Sequence, residues 1–81
     1  MTDTTYLKEM GKKIKEARMS KKLSYPKFSK LTNVDMSNLW FIEQGRRNVH
    51  LLTLKAIADV LEMELKEFVW LNNPKFNDVL L

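Results

Sequence analysis

From Tyr6 to Ser20 the apolar residues fall at Leu7, Met10, Ile14 and Ala17, with Lys12, Lys13, Lys15 and Glu16 between them. Steps of three and four put the apolar set on one stripe of a 3.6-residue helix and the charges on the rest, so the pattern predicts an amphipathic first helix. Ser24 is a residue type that caps helices, and Pro26 stands where a first turn would not use its missing N–H. A short second helix is therefore expected from about Tyr25, carrying Phe28 and Leu31 inward and ending near Thr32 and Asn33, since Asn tolerates the left-handed backbone of a tight turn. Asp35 is the next capping residue and Gly45 a C-terminal stop, which bounds a third helix. Leu51, Leu54, Ile57, Ala58 and Leu61 repeat at three and four and predict a fourth, while Leu65, Phe68 and Val69 suggest a short fifth that Asn72, Asn73 and Pro74 end. No strand and no internal repeat is expected. The pattern makes one all-α domain over residues 1–81, with a core at about 6–71 and an apolar tail, KFNDVLL, within 72–81.

The third helix breaks the simple pattern. In NLWFIEQGRRN, residues 38–48, four large apolar residues run together, and one core-facing stripe cannot bury all of them. A step of about 100° per residue puts Leu39 and Ile42 on one face, with Ser37, Trp40, Phe41 and Gln44 roughly opposite. Leu39 and Ile42 read as core, which leaves a tryptophan and a phenylalanine on the outside.

Charge changes the picture further. The chain carries 14 Lys and Arg against 10 Asp and Glu, a net +4, but residues 1–50 hold 11 against 5 and residues 51–81 hold 3 against 5. The first half is thus +6 and the second −2, and the basic half should attract a polyanion. Catalysis finds little support. His50 is the only histidine and there is no Cys, so no His-Cys metal cluster can form, and neither a phosphate-binding Gly-rich loop nor a G-x-S-x-G elbow is present. His50 itself reads as an ordinary cap or surface residue. The start MTDTTYLKEM lacks the apolar core of a signal peptide and no run reaches the length of a membrane span, so a cytoplasmic protein without membrane contact is expected. At 81 residues the chain buries only about 60% of its unfolded surface, which demands a compact, locally connected core.

In order and spacing, MGKKIKEAR, the LS that opens the second helix, the TNV turn, Leu39 with Ile42 and Glu43, GRRN, and TLKAIADVL resemble the helix-turn-helix domains of the lambda-repressor-like superfamily, in particular the XRE family. The resemblance covers roughly residues 10–68. It implies a five-helix bundle in which the second and third helices form the helix-turn-helix. It further implies that the third helix enters the major groove of double-stranded DNA, that the start of the second helix and the loop after the third meet phosphates, and that binding is dimeric. Elementary physics agrees: helix N-termini attract anions, which suits Ser24 and Tyr25, and Arg46, Arg47 and Asn48 follow a helix that could lie in a groove. The other reading of Arg46 and Arg47 is a solvated turn beside a helix C-terminus. In this family an arginine late in the first helix pairs with a glutamate near the end of the third, and Arg18 and Glu43 match, so that pair is expected to be structural.

The chain departs from the family at two places. Tyr25 stands where a glutamine usually opens the second helix, and it can donate to a phosphate but cannot make the bidentate amide contact with adenine. On the third helix the contact positions are Asp35, Met36, Ser37, Asn38, Trp40 and Phe41, with Gln44 on the same side and neither Arg nor Lys among them. Arginine reading of guanine is thus not expected from that helix. Three readings of the apolar face stay open: packing on thymine methyls at an A·T-rich site, a protein interface beside a basic rim, or cover by Tyr25 or the tail. The expectation is a sequence-specific DNA-binding regulator, a homodimeric repressor or controller-type autoregulator, with dimer contacts from Phe68, Trp70, Leu71, Phe76, Val79 and Leu80. The alternative is a protein-binding module, antitoxin-like or antirepressor-like, that keeps the fold without reading DNA. No cofactor, metal or small-molecule ligand is implied.

Overall fold

The computed structural model describes residues 3–69, and these form five helices: α1 (Asp3–Ser20), α2 (Tyr25–Thr32), α3 (Met36–Glu43), α4 (Leu51–Val60) and α5 (Lys66–Val69). No strand occurs among the described residues. The first helix starts at Asp3, one turn before the apolar pattern begins at Leu7, and this acidic residue sits in its first turn, where a negative charge favours the exposed N–H groups.

Each long helix buries one stripe. On α1 it runs through Met10, Gly11, Ile14 and Arg18, on α3 through Leu39, Ile42 and Glu43, and on α4 through Leu54, Ile57 and Ala58. Leu61, just past α4, and Phe68 of α5 complete the core with Phe28. Phe28, Phe68, Ile14, Leu39 and Ile57 have no exposed surface at all.

Two leucines expected inside are outside. On α2 the inward stripe is Tyr25, Phe28, Ser29 and Thr32, at steps of three and four, so Leu31 falls off it and is 52% exposed. Leu51 continues the α4 stripe but is the first residue of the helix, and helical side chains lean towards the N-terminus, so it projects past its own helix and is 64% exposed. Phe68 is corrected in the opposite direction. Assigned to a dimer contact by its apolar character, it is fully buried within the single chain, and the Tyr6 hydroxyl donates to its carbonyl oxygen at 2.7 Å across 62 residues of sequence. Trp70, Leu71, Phe76, Val79 and Leu80, the rest of that expected contact, and the stop at Asn72 to Pro74 lie outside the described residues.

Three helices end in one way. After α1, α3 and α4 the residues Lys22, Gly45 and Glu62 take left-handed φ values of 57°, 73° and 57°. The N–H groups of Leu23, Arg46 and Met63 then return to the carbonyls of Arg18, Phe41 and Ala58 at 3.1, 2.9 and 2.9 Å, the Schellman pattern that satisfies carbonyls left over at a helix end. At Gly45 the conformation and the space both require glycine, because a Cβ there would lie 2.6 Å from the Cα of Lys8. Gly11 is the other close approach: a Cβ would lie 2.4 Å from the carbonyl oxygen of Ile42 and 2.5 Å from that of Glu43. The end of α3 therefore rests directly on the α1 backbone.

Candidate nucleic-acid interface

The site is built on α2, the turn after it, and α3. Ser24, in extended conformation, caps α2 by accepting from the Lys27 N–H at 3.3 Å, with Pro26 in the first turn. The turn to α3 is held by two hydroxyls. Thr32 donates to the Phe28 carbonyl at 2.7 Å and accepts from the Val34 N–H at 3.3 Å, while Ser29 donates to the Val34 carbonyl at 2.5 Å. Asn33 supplies the left-handed residue, φ 59°. Polar residues on a buried stripe are the only trace Ser29 and Thr32 leave in the sequence, and their role in the turn was missed there.

Asp35 opens α3. Its carboxylate accepts from the backbone N–H groups of Ser37 and Asn38 at 3.1 and 3.4 Å and from the Ser37 hydroxyl. The Ser37 hydroxyl and the Asn38 N–H hold the carboxyl below the ordinary aspartate range, so it is charged at neutral pH. A residue expected at a base or backbone contact thus serves as the cap that fixes where α3 begins.

From below, α3 is held by Glu43, which is 4% exposed. Arg18 Nε and Nη2 donate to its two carboxylate oxygens at 2.8 and 3.3 Å, a bidentate pair, and Arg18 Nη1 donates to the Leu23 carbonyl at 2.8 Å. The Tyr25 hydroxyl donates to Glu43 Oε1 at 2.6 Å, and the Arg18 guanidinium lies 4.1 Å from the centre of the Tyr25 ring. Among the described residues every buried polar side-chain atom has a hydrogen-bond partner. For Arg18, burial works against the charge, but the hydrogen bond and attraction of Glu43 outweigh it and leave the pKa above its ordinary value. For Tyr25, burial first and the bond to Glu43 second push the pKa up, which keeps the hydroxyl proton in place. The one proton of the Tyr25 hydroxyl is thus given to Glu43, while its backbone N–H stands at the start of α2.

The opposite face of α3 is open. Met36 is 47% and Trp40 41% exposed, Ser37 and Gln44 are exposed, and Asn38 and Phe41 are half-buried. Trp40 and Phe41 meet edge to face, with ring centres 5.1 Å apart and planes at 79°. Tyr25 is engaged with Arg18 and Glu43, and the tail lies outside the described residues. Past Gly45, Arg46, Arg47 and Asn48 are all exposed. Arg47 turns back onto α3, its Nη1 donating to Asn38 Oδ1 at 3.0 Å and its guanidinium lying 4.6 Å from the centre of the Phe41 ring. Asn48 instead lines a cleft of about 350 Å³ with Asp3, Tyr6, Leu7, Met10, Val49 and Leu54. His50 is the N-cap of α4, and its side chain makes no capping bond.

Among the described residues no helix is long and apolar enough to cross a membrane, and no three His, Cys, Asp or Glu side chains are grouped to hold a metal ion. A sequence profile described as helix-turn-helix matches residues 14–68. The structure is similar to that of the restriction-modification controller protein C.AhdI from Aeromonas hydrophila, with 32% identity, a TM-score of 0.73, and 76% of this chain and 94% of that one covered. It is also similar to an HTH_3 family transcriptional regulator from Vibrio cholerae, with 31% identity and a TM-score of 0.77, over 93% of this chain but only 42% of that longer one. No curated protein sequence matches the chain.

Proposed function

Because the chain belongs to the helix-turn-helix family HTH_3, whose members similar to it are regulators, we propose that it is a sequence-specific transcriptional regulator that reads double-stranded DNA through α3 as a homodimer. The reading rests on α3 itself: an eight-residue helix capped by Asp35 and locked from below by Glu43, with Met36, Ser37, Asn38, Trp40, Phe41 and Gln44 facing away from the core. A helix held this rigidly, with an uncovered face, can enter a major groove without losing its packing. Its flanks suit phosphates, with the capped N-terminus of α2 at Ser24 on one side and Arg46 on the other, and the net +6 of residues 1–50 adds long-range attraction.

Thymine methyls are the partner that Met36, Trp40 and Phe41 fit, so the site includes A·T pairs, and two copies bind half-sites about one helical turn apart. The likeness to a controller protein supports a repressor or controller-type autoregulator that acts on its own promoter. The test is a mobility shift on DNA from upstream of its own gene against random DNA at several salt concentrations. A tighter complex on the upstream DNA, weakening with salt on both, is expected. Equal affinity for the two would remove sequence-specific reading, and loss of all DNA binding together with capture of a protein by the Met36–Trp40 face would favour the protein-binding module.

A further inference from the structure

Arg47 has a place that a phosphate-binding loop arginine does not need. The turn at Gly45 sends the chain back over the last turn of α3, where the Arg46 N–H bonds the Phe41 carbonyl, and Arg47 lies along the open face between Asn38 and Phe41. Asn38 is the third residue of α3, in the half of a reading helix that contacts base edges. We propose that Arg47, steered by Asn38 and Phe41, reads a guanine in the major groove and is a specificity-determining residue. This deepens the DNA-binding reading above and rests on it.

The argument is one of donors and acceptors. Arginine has only N–H donors, so the amide atom that meets Arg47 Nη1 must be the oxygen of Asn38. That bond takes up one of the two lone pairs of the oxygen with which an asparagine would accept from adenine N6. With that oxygen already engaged by Arg47, the pair offers chiefly donors: the Asn38 amide NH₂ and the remaining N–H groups of Arg47. Guanine is the base whose major-groove edge shows two acceptors, N7 and O6, whereas adenine and cytosine each present a donor that would face these donors. The Arg47 guanidinium lies over the Phe41 ring, which itself meets Trp40 edge to face, and with the Asn38 bond this contact restrains the side chain, so less freedom is lost when a base is bound. An arginine absent from α3 in the sequence is thus delivered to its reading face by the loop that follows.

The experiment is selection of sites from a random duplex library by the unaltered chain and by Arg47→Ala, Arg47→Lys and Arg46→Ala, followed by binding to the selected site with 7-deazaguanine at each guanine in turn. The unaltered chain should enrich a motif with one guanine per half-site whose 7-deaza replacement, which removes N7 and leaves O6, weakens binding by about 5-fold or more, within the roughly 5- to 150-fold range of a whole bidentate base contact. Arg47→Ala and Arg47→Lys should lose the preference at that position and keep the rest of the motif, with Lys retaining affinity for random DNA. Arg46→Ala should weaken all sequences alike. A motif unchanged in Arg47→Ala, or full tolerance of 7-deazaguanine by the unaltered chain, overturns the assignment of Arg47 alone. A chain that enriches no motif overturns the reading of α3 and this proposal together. The deazaguanine arm uses the native protein, so misfolding of a variant cannot imitate its result.

Discussion

Gly11→Ala tests the seating of α3 on α1. Alanine in place of glycine inside a helix is worth about 1 kcal/mol of propensity, so an exposed mid-helix glycine would be a site of stabilisation. At Gly11 the new Cβ would sit 2.4 and 2.5 Å from two carbonyl oxygens of α3, about 0.6 Å inside the 3.0 Å that real contacts respect. Neither obstacle is a flexible side chain. The Ile42 carbonyl accepts the Gly45 N–H at 3.0 Å, and Ile42 and Glu43 are both core residues, so relief requires α3 to lift from α1 as a unit. Overpacking of this kind costs about 1–3 kcal/mol. With backbone as the obstacle the cost falls in the upper part of that range, and after the propensity gain a net loss of about 1–2 kcal/mol is expected. In a domain of this size that lowers Tm by about 4–16 °C. Urea unfolding followed by circular dichroism measures it directly, with Lys12→Ala on the exposed side of the same helix as a control that stays within about 0.5 kcal/mol of the parent. A Gly11→Ala chain as stable as its parent would show that α3 does not rest on α1 as closely as described, and the reasoning would fail.

Glu43→Ala strands the buried Arg18 charge and the Tyr25 hydroxyl, and should cost about 3–5 kcal/mol in the same unfolding assay, far more than removal of an exposed ion pair such as Lys55 with Asp59. Phe68→Ala empties a fully buried site and should cost about 3–5 kcal/mol; a loss under 1 kcal/mol would return Phe68 to the surface. The Asp35 carboxyl is held below its ordinary range, so its contribution to stability is present above the unfolded pKa and disappears as pH falls through the lowered folded value; an NMR titration of the Ser37 and Asn38 amides should show a midpoint below that of an unstructured aspartate. Removing residues 72–81 should leave the bundle folded and reduce the sedimenting mass from dimer to monomer, and an unchanged mass would take the tail out of the dimer contact.

Helix caps and stripes were legible in the sequence because they depend on neighbours three or four residues apart. Ser24, Asp35 and Gly45 are found where their residue types suggest, and Met10, Ile14, Leu39, Ile42, Ile57 and Ala58 are buried on the stripes their spacing defines. Legibility fails where the third dimension decides. Leu31 and Leu51 are apolar and lie outside, because an eight-residue helix has room for one narrow stripe and a first residue has nothing beyond it to pack on. Phe68 looked surplus only because the core volume it fills is shared by elements distant in sequence. Lys22 and Glu62 adopt left-handed turns without the glycine or asparagine that would have announced them. In the interface, the exposure of Met36 and Trp40 follows from periodicity, whereas the inward turn of Tyr25 and the return of Arg47 onto Asn38 depend on side-chain partners that no spacing rule supplies.

The bond from Tyr6 to Phe68 also ties the first helix to the far end of the described fold. Every residue expected to touch DNA lies within the first 48, yet the core beneath them includes a phenylalanine twenty residues later. The core that seats α3 is therefore completed by one of the last described residues, and a chain cut short of Phe68 loses part of that seat.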